Sequence, residues 1–184
     1  MVESDIGLYF LAVIPPEPLQ TEIMELKEEC HREYNTKAAL RSPGHITLHM
    51  PFKMSLKKVT KVHSSLQRVV APMKNFEVQL ENFGSFPPKV IYINVKASVE
   101  LERLHYQIKQ IMKTEFQILN QDYKNQPFHP HVTIAFRDLK KQEFNSAWEN
   151  FKDQKFDGSF VCKSISILEH TGKFWTVRSE LLFG

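Results

Sequence analysis

The sequence is short of most things that would make a specialised scaffold. It has two cysteines in 184 residues, Cys30 and Cys162, and neither belongs to a Cys-x-x-Cys pair. That excludes a disulfide framework and points to a reducing, cytoplasmic setting. It has no apolar run long enough to span a membrane. The candidate, Gly7 to Ile14, stops at Pro15-Pro16. The first residues, Met-Val-Glu-Ser-Asp, are acidic where a secretory signal begins basic, so a soluble protein with no membrane contact is expected. Charge of one sign is also lacking. A net +3 gives no large basic field, which argues against tight non-specific binding to long duplexes. The mild excess of Lys and Arg still suits a small anionic substrate. No segment is of low complexity.

What the sequence has is alternation. Gly7 to Ile14 reads as a buried strand closed by prolines. Leu19, Ile23, Leu26 and Cys30 recur at helical spacing behind Pro18. His45 to Met50 reads as a strand. Val59, Val62, Leu66 and Val69 predict a helix, with Ser55 as its cap. Phe76, Val78 and Leu80 alternate with polar residues, the mark of a half-buried strand. The pattern then starts again. Val90 to Val95 predicts a strand, Leu101, Leu104, Ile108 and Ile111 a helix behind Ser98, and His131 to Phe136 a strand. Phe144, Ala147, Trp148 and Phe151 predict a short helix. Phe160 to Leu168 and Phe174 to Leu182 predict strands joined near Thr171-Gly172.

Each half thus runs strand, helix, strand, helix, strand. The first strands begin near Gly7 and Lys89, the central ones near His45 and His131, offsets of 82 and 86 residues. Two copies make a paired-lobe fold and not a solenoid. The expected organisation is one domain, 1–184, of two duplicated lobes, about 1–86 and 87–184, with room for exchange of terminal strands. The boundary is expected in the Gly84–Lys89 segment, where Gly, Ser and Pro-Pro cluster.

One tripeptide occurs at matching positions in both halves: His45-Ile46-Thr47 and His131-Val132-Thr133. Residues two apart on a strand face the same way, so each strand presents an imidazole and a hydroxyl on one face. Ile46, Leu48, Val132 and Ile134 turn to the core. With 8 His and 8 Thr in the chain, chance gives about 0.3 His-x-Thr triplets. Two copies at equivalent places in a duplicated pattern are hard to obtain by accident.

At His45-Ile46-Thr47-Leu48, followed by Pro51-Phe52, and at Phe128-His129-Pro130-His131-Val132-Thr133-Ile134, the sequence resembles the 2H phosphoesterase superfamily. That group includes the 2'-5' RNA ligases, also called RNA 2',3'-cyclic phosphodiesterases. The resemblance covers nearly the whole chain. It implies an α+β fold of two pseudo-symmetric lobes, each an antiparallel β-sheet with flanking helices, around a central groove lined by both motifs. It also implies chemistry without a metal or other cofactor, and His131 as base with His45 as acid in hydrolysis.

The residues suit that chemistry on their own terms. Opening a cyclic phosphodiester needs a base for water and an acid for the departing sugar oxygen, and imidazole can be either near neutral pH. The Thr47 and Thr133 hydroxyls can supply donors to the developing charge. An RNA hydroxyl in place of water would give a weak 2'-5' ligation by reversal. The expected partner is an RNA terminus or small nucleotide, bound by a monomer that needs no obligate protein partner.

Phe52 and Phe128 flank the motifs and are expected to stack a base. Arg137 and Lys53 are expected to meet phosphate, with Arg41 as a weaker candidate. Two rival readings are open. A binding module would keep the groove without the reaction. A metallohydrolase would use His45 with His49 and His129 with His131 as ligands.

Overall fold

The computed structural model describes residues 6–120 and 127–184. Its elements, in chain order, are β1 (Ile6–Val13), α1 (Leu19–Tyr34), a single 3-10 turn (Ala38–Arg41), β2 (Ile46–Ser55), α2 (Leu56–Val70), β3 (Phe76–Phe86), β4 (Val90–Val95), α3 (Val99–Phe116), β5 (His131–Ala135), α4 (Lys141–Phe151), β6 (Asp157–Cys162), β7 (Ser164–His170) and β8 (Trp175–Leu182). The fold is α+β, as expected. None of these helices is long and apolar enough to cross a membrane.

The helices arise where the apolar spacing is helical, and each buries one stripe. Leu19, Ile23 and Cys30 are buried on α1, Leu101, Leu104, Ile108 and Met112 on α3. Ser98 caps α3 by accepting a hydrogen bond from Leu101 N at 3.2 Å. Ser55 occupies the matching position before α2, but its side chain makes no cap.

The eight strands form one antiparallel sheet in the order β6-β3-β4-β5-β2-β1-β7-β8. The two expected sheets are therefore four-stranded halves of a single one, and they join at the pair Ile46 with Val132. Strand order does not follow the chain halves. β3 lies between β4 and β6, and the C-terminal β7 and β8 continue the sheet outward from β1. The Gly84–Lys89 stretch is the hairpin between β3 and β4. The run read as one strand from Phe160 to Leu168 is two strands parted at Lys163. β6 pairs in one half and β7 in the other.

All four helices contribute to one main core against one face of the sheet. A few large side chains lie outside it. Phe10, Ala12 and Leu168, with Ile14 and Trp175 packed on them, form a small separate cluster. The cross-strand pairs put Ala12 beside Thr47, so this cluster shares the sheet face of the two motifs.

Candidate active site

The pairing of Ile46 with Val132 fixes the site. Both side chains are fully buried in the main core. Their neighbours along each strand must then point to the opposite face. One step to either side in an antiparallel register sets Thr47 beside His131 and His45 beside Thr133. The two histidines are diagonal neighbours, a relationship that spans about 7–8 Å between backbones. A charge on His131 is felt at His45.

The two imidazoles are held alike. His45 Nδ1 lies 2.8 Å from the carbonyl oxygen of Pro43, and His131 Nδ1 lies 2.8 Å from that of His129. A carbonyl can only accept, so each Nδ1 carries the hydrogen and each Nε2 keeps its lone pair. Burial pushes the His45 ring down to about 4. The Pro43 carbonyl works against that shift, and positive charge on Lys27 and His131 adds to it. Burial lowers His131 as well, opposed by the His129 carbonyl and assisted by charge on His129. Both shifts favour the neutral ring. The Thr47 and Thr133 hydroxyls are half-buried and make no hydrogen bond among the described residues.

Aromatic side chains back each ring from the neighbouring strands. The Phe10 ring lies 4.8 Å from His45 and meets Trp175 edge-on at 4.7 Å. In the other half, Tyr92 lies 4.9 Å and Phe86 5.2 Å from His131, and the same two rings contact His129. Gly84 makes room for this wall, because a Cβ there would come within 2.5 Å of the Tyr92 ring. Asn94 pairs with His131 on β4, and Ser166 pairs with Ala12 on β7, which adds two polar side chains to the row through Thr47 and His131.

The other sequence candidates lie elsewhere. Phe52 is only 6% exposed and belongs to the main core. It pairs with Tyr9, whose ring is also in the core, 6.2 Å away. Phe128 stacks on His105 at 3.9 Å and packs against the same core. His49 is buried too. A register shift between Leu11 and Ala12 turns it to the core side, opposite Leu11 and edge-on to Phe52, so it cannot join His45 at one ion. Arg137 lies past the end of β5 with φ of 62°, and its guanidinium sits over the Phe136 ring at 5.4 Å. Lys53 is exposed far along β2, eight residues from His45, which is roughly 25 Å of strand. Arg41 is exposed on the 3-10 turn. Among the described residues, no three side chains of His, Cys, Asp or Glu gather in a way that could hold a metal ion.

Sequence reasoning missed Phe10, Tyr92, Phe86, Trp175 and Lys27. β1 reads as apolar throughout, so nothing marks Phe10 and Ala12 as facing the groove while Tyr9 and Leu11 face the core. Lys27 carried a signal: it sits on the apolar stripe between Ile23 and Cys30, and it is 1% exposed.

The family model described as the 2'-5' RNA ligase superfamily matches residues 15–174. A protein of Geobacillus kaustophilus named "Putative phosphoesterase" is 30% identical over 182 residues, 96% of each chain. An RNA 2',3'-cyclic phosphodiesterase of Archaeoglobus fulgidus is 23% identical over 152 residues, covering 80% of this chain and 82% of that one. The crystal structure of E. coli LigT complexed with 3'-AMP superposes with a TM-score of 0.66. It is 18% identical and covers 97% of this chain and 98% of that one, a likeness of fold.

Proposed function

The chain belongs to the 2'-5' RNA ligase superfamily, the 2H phosphoesterases, and we propose that it opens 2',3'-cyclic phosphate or 2'-5' phosphodiester bonds at RNA ends or in small nucleotides. One observation carries this reading: two imidazoles, each tied by Nδ1 to a carbonyl, present Nε2 across a single strand pairing with a free hydroxyl beside each. The relative named as an RNA 2',3'-cyclic phosphodiesterase and the 3'-AMP bound to LigT support the substrate class.

In the forward step, Nε2 of one histidine takes a proton from water. The hydroxide attacks phosphorus, and the bond to the 2' or 3' oxygen breaks. The other histidine gives its proton to that oxygen as it leaves. Beyond the Nδ1 hydrogens the pair therefore needs one proton on one of its two Nε2 atoms, taken up from solvent as the anionic substrate binds. Both rings present the same nitrogen in the same way, so the choice of His131 as base and His45 as acid rests on the resemblance. Thr47 and Thr133 donate to the non-bridging oxygens. Phe10 with Trp175 and Phe86 with Tyr92 give the nucleobase an aromatic wall on either side. An RNA hydroxyl replacing water runs the step backwards as 2'-5' ligation. The chemistry is metal-independent, and a monomer suffices because both motifs belong to one chain.

The test is a panel of 2',3'-cyclic nucleotides and 2'-5' dinucleotides incubated with the protein in EDTA, with the product phosphate position read by NMR. Turnover that survives EDTA is expected. Turnover abolished by EDTA and restored by zinc would make the protein a metallohydrolase. Tight nucleotide binding with no turnover across the panel would make it a binding module.

A further inference from the structure

We propose that the face of α1 carrying Gln20, Ile23 and Lys27 is a clamp that positions the imidazole of His45, and that Lys27 ties protonation of that ring to the presence of an anion in the groove. The inference rests on reading His45 as an acid/base group. Residues 20, 23 and 27 lie on one side of a helix, and each touches the loop that leads into His45. The Gln20 amide spans the Gly44 backbone, donating from Nε2 to the carbonyl at 2.7 Å and accepting from the N–H at 2.9 Å. A Cβ on Gly44 would lie 2.7 Å from Ile23, so helix and loop are in direct contact there. Lys27 Nζ donates to the Ser42 carbonyl at 2.9 Å. Ser42 and Gly44 flank Pro43, whose carbonyl accepts from His45 Nδ1. The α1 face thus fixes both neighbours of the residue that orients the ring.

Packing alone does not explain Lys27. A buried ammonium is costly, and a neutral side chain of similar length would fill the space without that cost. Among the described residues, no carboxylate pairs with it. Burial lowers its pKa to about 8, so it is largely charged at neutral pH. The groups bearing on His45 are Lys27 from α1, His131 from β5 and the uncharged Phe10 ring from β1. Lys27 opposes a second positive charge nearby. A phosphate between the two histidines would offset that charge and let the ring take its proton with substrate in place.

The test is an NMR titration of the His45 ring in wild type, Lys27→Gln and Gln20→Ala. Lys27→Gln keeps a donor for Ser42 and removes the charge. The His45 midpoint is expected to rise by roughly 0.5–1.5 pH units in that variant, and 3'-AMP is expected to raise it in wild type. Gln20→Ala should leave the midpoint in place and lower kcat about tenfold with little change in KM. A folded Lys27→Gln protein whose His45 titrates as in wild type overturns the proposal. If that variant does not fold, wild type still decides. The His45 signals must respond as Lys27 loses its proton near pH 8, and their indifference overturns the proposal as well. The titrations need no turnover, so a protein inactive on every substrate would sink the acid/base reading while they still decide whether Lys27 bears on the charge of His45.

Discussion

Ile46 stands opposite Val132 at the centre of the sheet, both fully buried. This pairing joins the two halves and brings His45, Thr47, His131 and Thr133 together on the other face. A slip of one residue on either strand would turn its whole motif into the core. The geometry of the pair therefore leads directly to expectations for the motif residues.

His45→Ala and His131→Ala are each expected to lower kcat/KM on a 2',3'-cyclic nucleotide by roughly 10²–10⁴. Among the described residues neither ring makes a hydrogen bond beyond its own turn, so circular dichroism and the unfolding midpoint should stay near wild type. The double variant should lose little more than the worse single one, because the two histidines act in one step. Full activity in the double variant would remove the catalytic account.

Thr47→Val and Thr133→Val keep shape and strand preference and delete a hydroxyl that has no partner within the described protein. Stability should hardly change. If the hydroxyls meet charge developing on the phosphate, kcat should fall by about 10²-fold with KM nearly constant. A rise in KM alone would make them ground-state contacts.

Trp175 and Phe52 separate groove from core. Trp175 is half-exposed beside Phe10, whereas Phe52 lies within the main cluster. Trp175→Ala should raise KM for nucleotides about 5- to 100-fold, the value of one stacking contact, at little cost in stability. Phe52→Ala should cost about 3–5 kcal/mol of stability and leave KM of the folded fraction unchanged. Denaturant unfolding alongside steady-state kinetics distinguishes the two, and the reverse result would return Phe52 to the site.

Asp138 ties the stretch before His45 to the turn after His131. Its carboxylate accepts from Thr36 Oγ1 at 2.6 Å, Lys37 N at 3.1 Å and Ala38 N at 3.2 Å. Asp138→Ala should cost about 1–2 kcal/mol, as for a lost helix cap. Amide exchange at Lys37 and Ala38 should speed up in the same variant. Unchanged exchange there would show that the loop is held by α1 alone.

The motifs were legible because both lie on short strands with aliphatic residues at the alternate positions. Their meeting was suggested by the duplication, and the strand pairing supplies the geometry. The aromatic walls were not legible. Periodicity shows which residues are apolar, and in a run such as Tyr9 to Val13 it does not say which face of the sheet each one takes. Phe52 misled because it is near His45 in sequence while its facing is set by its pairing with Tyr9. The break at Lys163 was equally hidden, since Phe160 to Leu168 has the composition of one strand and only the sheet order divides it.

Four histidines link stability to pH. Burial lowers the rings of His45, His49, His105 and His131, with His45 and His105 brought down to about 4. In the unfolded chain each titrates near 6.5. Between those values the unfolded state binds more protons, so stability is full above about pH 6.5 and falls as pH drops through the window. Asp138 adds to the loss at lower pH. Burial alone would raise its carboxyl, but the hydrogen bonds from Thr36, Lys37 and Ala38 outweigh that and hold it below its ordinary value. The denaturant midpoint is therefore expected to decline steadily from pH 7 to pH 4. His105→Phe, which keeps a ring against Phe128, should flatten the decline by removing one titrating group. A midpoint constant down to pH 4.5 would mean that these rings accept protons in the folded protein as readily as in the unfolded chain.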